Sequence, residues 1–174
     1  MQSSYLLYAC SQASQIDARQ MMVQDNEMTD VLSRQERSRL MSKVKGRHTK
    51  PEMIVRKALH ARGFRYRLHD RRIFGHPDLL LPKYHAAVFV HGCFWHHHER
   101  CKFAYMPKSK VDFWQAKFVA NRERDLKVQA RLLTEGWRVL VIWECALKDA
   151  GQLEASLLRI EHWLKSKSLY EEIA

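Results

Sequence analysis

Between His91 and Cys101 the chain reads His-Gly-Cys-Phe-Trp-His-His-His-Glu-Arg-Cys, so six of eleven consecutive residues are histidines or cysteines. No other stretch restricts the fold as much. Buried imidazoles must find hydrogen-bond partners or lose solvation free energy, so a core built for packing alone would use aliphatic residues here. A metal site is the natural use. Structural zinc takes four soft or borderline donors in a tetrahedron, commonly three cysteines and one histidine. Cys93, His98 and Cys101 lie in this loop, and the remaining cysteines are Cys10, in the polar N-terminal stretch, and Cys145. A Cys₃His set therefore requires a fold that returns residue 145 to the loop. Metal binding would then offset the entropy of ordering so polar a segment. His96 and His97 are immediate neighbours of His98, so residue types alone leave open which histidine ligates. The alternative is a set of free thiols among solvated histidines.

The spacing of cysteines argues against a disulfide framework, and reduced cysteines in the cytoplasm are expected. No apolar run approaches the roughly 20 residues that span a bilayer. The start Met1–Cys10 lacks the positive n-region of a signal peptide. Net charge is +11 over 174 residues. Residues 1–33 carry a net of −3, so the remainder carries +14. A polyanion is the expected partner, nucleic acid ahead of an acidic membrane or protein.

Taken in order, residues 1–27 are polar, without sustained period, and read as a disordered extension or as an upstream misassigned start before Met28. Residues 28–48 form a basic stretch in which Leu40, Met41 and Val44 punctuate Arg, Lys and Ser. It reads either as a solvated basic helix or as an arm that neutralises phosphates and pushes Met41 or Val44 between bases. Residues 49–174 are expected to form one domain. Thr49-Lys50-Pro51-Glu52 is a helix start with a capping box, and Gly63 ends that helix. The structural role of Glu52 in the cap competes with any catalytic one.

Strands are expected over 64–69, 78–81, 86–91 and 137–143. A long helix is expected over 111–134 and an amphipathic one over 152–166. On the long helix Trp114, Phe118, Asn121, Asp125, Val128 and Leu132 share one face, so two polar residues interrupt an apolar stripe and need partners. This order points to an α/β fold with helices around a mixed sheet.

His91 and His96 stand outside the cysteine set. With Asp78, rigidly placed after Pro77 at the head of a strand, and with Asp125, they make two Asp/His pairs suited to phosphodiester hydrolysis. One carboxylate would hold Mg²⁺, one imidazole would take a proton from water, and one Asp would orient that imidazole. Phe94 and Trp95 are either core anchors or aromatics that stack on or wedge between bases.

Val90-His91-Gly92-Cys93-Phe94-Trp95-His96 with Cys101, then Phe113-Trp114, Asn121-Arg122-Glu123-Arg124-Asp125 and Gly136-Trp137-Arg138-Val139-Leu140-Val141-Ile142-Trp143-Glu144-Cys145, closely resemble the very short patch repair (Vsr) mismatch endonucleases. The likeness runs from about Asp30 to Leu147. It implies a restriction-endonuclease-like three-layer sandwich with a central mixed sheet and a structural zinc site. It implies nicking on the 5′ side of the thymine in T·G mismatches, which arise when 5-methylcytosine deaminates. By matching position, Asp78 and the backbone carbonyl of Val90 resemble the Mg²⁺ ligands, and His96 the general base oriented by Asp125. His91 resembles the second active-site histidine and Glu52 the acidic residue of the first long helix. Cys93, His98, Cys101 and Cys145 resemble the zinc ligands. Phe94, Trp95 and Trp114 resemble the wedge that enters the duplex from the major groove, and Met41 and Val44 the minor-groove wedge. The resemblance further implies double-stranded DNA with a T·G pair as partner, mismatch-repair proteins and a repair polymerase downstream, and a monomer in a bacterial cytoplasm. The competing expectations are a sequence-specific restriction endonuclease, cutting both strands, and a zinc-bearing DNA-binding module without catalysis.

Overall fold

The computed structural model describes residues 33–43 and 46–174. Helix α1 (Arg34–Ser42) opens on a capping box in which Ser33 accepts from the Glu36 N–H and the Glu36 carboxylate accepts from the Ser33 N–H. Leu40 and Met41 on it stay half exposed, so neither is consumed by a core. The Val44 side of the expected wedge, like residues 1–27, lies outside the described residues.

Helix α2 (Lys50–Ala61) starts at the Thr49–Glu52 box expected from the sequence, with Pro51 in its first turn. It ends where Gly63 adopts φ +84°, a conformation that glycine takes without steric cost. Strands β1 (Arg67–Leu68), β2 (Leu79–Leu81) and β3 (Ala86–His91) follow, then α3 (Val111–Thr134), β4 (Arg138–Trp143), α4 (Ala150–Lys165) and β5 (Tyr170–Ile173). The five strands lie in chain order, β1 to β3 antiparallel and β3 to β5 parallel.

Alternation along the two central strands sorts their apolar residues to opposite faces. Val88, Val90, Leu140 and Ile142 pack with Val55 and Leu59 of α2 and with Leu157, Ile160, Trp163 and Leu164 of α4. Ala87, Val139, Val141 and Trp143 pack on the other face with Val128 and Leu132 of α3. The protein is thus an α/β sandwich of three layers around a mixed sheet, as the order of elements suggested. Strand β5 was not anticipated. Tyr170-Glu171-Glu172-Ile173 alternates too briefly to signal a strand, and only Ile173 is fully buried. It exists because β4 offers a free edge for parallel pairing, from Val139↔Tyr170 to Ile142↔Ile173.

The sheet also explains where chemistry collects. Asp78 immediately precedes β2, while His91 ends β3 and Cys145 follows β4. In the parallel pair, His91 is level with Trp143. The carboxyl ends of β3 and β4 therefore open into one region, with α3 across it.

Candidate active site

A cleft of about 1150 Å³ is lined by Glu52, Asp78, Val90, His91, His96 and Asp125 among others. Arg71, Arg72, Lys117, Arg124 and Arg131 also line it, so an acidic and imidazole centre sits inside a cationic rim. Such a rim suits a phosphate backbone. The Arg71–His76 segment is held against α3: Arg131 lies over the Phe74 ring at 4.0 Å. Gly75 has φ +78°, and a Cβ there would come within 2.2 Å of Val128 Cγ1, so only glycine permits this approach.

Asp78 Oδ2 accepts the Val90 N–H at 2.8 Å. In extended chain the N–H and C=O of one residue point to the same side of the strand, so the Val90 carbonyl also faces the Asp78 side. Burial lifts the Asp78 carboxyl to about 6; the nearby Glu52 adds to the rise, while the Val90 bond, Arg56 and His96 oppose it. This part-buried carboxylate is short of positive charge, and a divalent cation would supply it.

The polar stripe of α3 finds its partners in the loop after β3. Asn121 is buried and its Nδ2 donates to the Trp95 carbonyl at 2.7 Å. Asp125, one turn on, hydrogen-bonds His96 Nδ1. Burial pushes the Asp125 carboxyl up, but the bond to His96 and the charges of His96, His91 and Arg124 bring it below its usual value. His91 stacks on His96 with ring centroids 3.9 Å apart and planes at 6°. Its ring is almost wholly buried, and burial with the neighbouring His96 drops it to about 3, so His91 is neutral at physiological pH. Of the two imidazoles, only His96 has a carboxylate to aim it.

Cys93, His98, Cys101 and Cys145 each offer a ligand atom, and these atoms lie within 4.8 Å of one another. His98 Nδ1 is 3.8 Å from Cys93 Sγ and 3.5 Å from Cys145 Sγ. The question of which loop histidine faces the thiols is answered by geometry: His97 instead stacks on Phe118 at 4.7 Å, and His96 is bound to Asp125. Burial raises the Cys93 thiol well above its ordinary value, with Cys145 and Cys101 adding to the rise, and burial also raises Cys145, where Cys101 adds and the bond with Cys93 opposes. Crowded thiols of this kind are stabilised as thiolates by a shared cation, and three sulfurs with one imidazole nitrogen match zinc.

Trp143 joins the two groups. His98 stacks on it at 4.1 Å and 9°, while His91 and His96 meet it edge-on at 5.3 and 6.4 Å. Its indole N–H donates to Glu172 Oε2 at 3.1 Å. The unanticipated β5 thus orients the tryptophan between the thiol cluster and the paired imidazoles. Sequence reasoning also missed Arg56 and His69, which contact Glu52 and Asp78 from behind. The i,i+4 spacing of Glu52 and Arg56 on α2 is a signal that could have marked Arg56, whereas nothing in its spacing marks His69.

Phe94, Trp95 and Trp114 belong to neither of the two sheet cores. Phe94 is their centre, with Trp95, Trp114, Phe118 and Tyr105 around it at 5.2 to 5.4 Å. Trp95 borders the cleft. Phe113 and Tyr105, next to this group, are 60% and 64% exposed. Phe94, Trp95 and Trp114 are themselves part-buried, and Phe94 and Trp114 pack on the buried Phe118.

Comparison with known proteins gives a consistent set of relatives. The family model described as DNA mismatch endonuclease Vsr matches residues 29–102. The chain is 48% identical over 133 residues to the type II nicking enzyme V.XorIIP of Xanthomonas oryzae pv. oryzae, covering 76% of this chain and 97% of that one. It is 44% identical over 138 residues to the type II nicking enzyme V.NmeAIP of Neisseria meningitidis, covering 79% and 98%. To the DNA mismatch endonuclease Vsr of Escherichia coli it is 38% identical over 139 residues, covering 79% and 88%.

Proposed function

This chain belongs to the Vsr family of DNA mismatch endonucleases, and we propose that it nicks one strand of duplex DNA on the 5′ side of the thymine in a T·G mismatch. The observation that supports this most directly is the meeting, in one cationic cleft, of the part-buried Asp78 carboxylate and an imidazole aimed by Asp125. A restriction-endonuclease-like architecture accords with the mixed sheet and with Asp78 at the head of β2. The family and its nicking relatives make the chain a DNA-cleaving hydrolase.

In this reading Asp78 and the Val90 carbonyl hold Mg²⁺, with Glu52 nearby. When bound, the ion neutralises phosphate charge and helps the leaving oxygen. His96 takes the proton from the attacking water. Asp125 fixes the tautomer in which Nδ1 carries the hydrogen and leaves Nε2 free to accept, and it stabilises the imidazolium that results. His91, neutral and stacked, keeps the His96 ring in plane without adding a second positive charge. Cys93, His98, Cys101 and Cys145 hold a structural Zn²⁺ that shapes the loop carrying His96 and the aromatics. Phe94, Trp95 and Trp114 enter the duplex beside the mismatch, and Met41 and Val44 do so from the basic arm. A major-groove wedge of large aromatics would cost unstacking but gain contact with the deformed site.

The test is a labelled duplex bearing one T·G pair, its perfectly paired control, and reactions with and without Mg²⁺. Mg²⁺-dependent nicking of the thymine strand alone is the expected result. Double-strand cutting of the control would replace this reading with a restriction endonuclease. Binding without cleavage would leave a DNA-binding module.

A further inference from the structure

Arg56 is 4% exposed, and besides a long contact from Nη1 to Met53 Sδ its guanidinium reaches Glu52, His69 and His48. Nη2 lies 2.6 Å from Glu52 Oε2 and 2.9 Å from His69 Nε2, and Nη1 lies 2.6 Å from His48 Nδ1. A guanidinium only donates. Nε2 of His69 therefore accepts, its lone pair is used, and the ring hydrogen must sit on Nδ1. Nδ1 is the nitrogen that faces Asp78, 3.7 Å from Oδ1. The Asp78 carboxylate is thus bracketed: Oδ2 accepts from Val90 at 2.8 Å, and Oδ1 looks at the His69 N–H.

His48 and His69, the two imidazoles that Arg56 touches, have φ of 55° and 45°. Histidine takes this left-handed conformation more readily than most residues, and His76, His85, His97, Arg100 and Lys110 adopt it here as well. The two rings pack edge to face at 5.7 Å. Donor atoms of Glu52, His69 and Asp78 lie within 4.8 Å of one another, but a protonated Nδ1 and an occupied Nε2 leave His69 nothing with which to ligate. Neither His69 nor Arg56 lines the cleft.

From this geometry we infer that His69 is a positioning residue: held in its Nδ1–H tautomer by the buried Arg56–Glu52 pair, it fixes the rotation of the Asp78 carboxylate so that the cleft binds a divalent cation. The inference rests on the reading of Asp78 as the cation ligand given above. At 3.7 Å the His69 N–H is beyond hydrogen-bond length and acts on Oδ1 as an aimed dipole; without it the Val90 bond alone orients the Asp78 carboxylate.

Binding of Mn²⁺ alone, followed by electron paramagnetic resonance on the zinc-loaded full chain without DNA, tests this. Asp78→Ala marks the site by abolishing its Mn²⁺ signal. His69→Ala is expected to weaken Mn²⁺ binding about 10- to 100-fold, the usual effect of losing an outer partner of a metal ligand. The Mg²⁺ concentration for half-maximal nicking of the T·G duplex should rise by a similar factor, with zinc content unchanged. Should His69→Ala fold poorly, His69→Asn, which keeps an N–H donor near Asp78, should recover most of the affinity. Unchanged Mn²⁺ affinity in folded His69→Ala, or equal loss in Ala and Asn, overturns the inference. A wild-type protein that shows the His69-dependent Mn²⁺ site but leaves DNA intact would support it while overturning the proposed function.

Discussion

His96 Nδ1 and the carboxylate of Asp125 are hydrogen-bonded across 29 residues of sequence, joining the loop after β3 to the middle of α3. If that bond fixes the tautomer of a general base, Asp125→Asn should leave the fold intact and lower the nicking rate about 10²- to 10⁴-fold. Single-turnover rates at saturating T·G duplex measure this. A variant with a normal rate and only weaker DNA binding would make Asp125 a structural partner of the loop.

Asp78 couples stability to pH in the opposite sense from an ion-paired carboxylate. Its native pKa, about 6, lies above the usual carboxylate value, so the native protein holds an extra proton in between. Without added Mg²⁺, its contribution to stability is present at low pH and is lost as pH rises through about 6. Asp78→Asn should therefore abolish nicking while raising stability near neutral pH by about 1–3 kcal/mol. Denaturant melts of the two proteins at several pH values check the sign.

Because a protonated carboxyl cannot hold a cation, the Mg²⁺ concentration for half-maximal nicking should fall as pH climbs from about 5 to 7. Asp78 predicts the midpoint of that change near 6. A Mg²⁺ requirement indifferent to pH over this range would remove Asp78 from the ligand set.

Elemental analysis should find one zinc per chain. Cys145→Ser should lose it and melt far below the wild type, since the metal supplies folding free energy to the loop. Asp78→Ala should keep its zinc. Zinc at full occupancy in Cys145→Ser would remove residue 145 from the set, and zinc loss in Asp78→Ala would mean that the two metal sites had been exchanged.

Truncating the loop and α3 aromatics should tell binding from folding. Trp95→Ala and Trp114→Ala should each weaken binding to the T·G duplex by about 1–3 kcal/mol with small changes in melting temperature. Competition binding against the paired control measures the loss of discrimination. Equal loss on both duplexes would reduce these residues to general contacts.

Most of the elements were legible locally. The capping box at Thr49 and the periodic face of α3 act within a few residues, so the sequence carries them in plain form. The expectation that Asn121 and Asp125 need partners was also legible, because a polar group on an apolar face has to be satisfied wherever it lands. The identity of those partners was not.

By itself the sequence determined the ligand types, the strands that would be buried on both faces, and, through its net charge of +11, the polyanionic character of the expected partner. Tertiary structure decided which histidine joins the thiols: His98 reaches Cys145 across 47 residues only because β3 and β4 run parallel and end together. It also decided β5, whose Glu172 holds Trp143, and the Arg56–His69 group behind Asp78. The physical reason is the same in each case. Helix caps and periodicity arise between near neighbours in the chain, whereas strand pairing and side-chain hydrogen bonds between distant elements exist only once the sheet has brought them together.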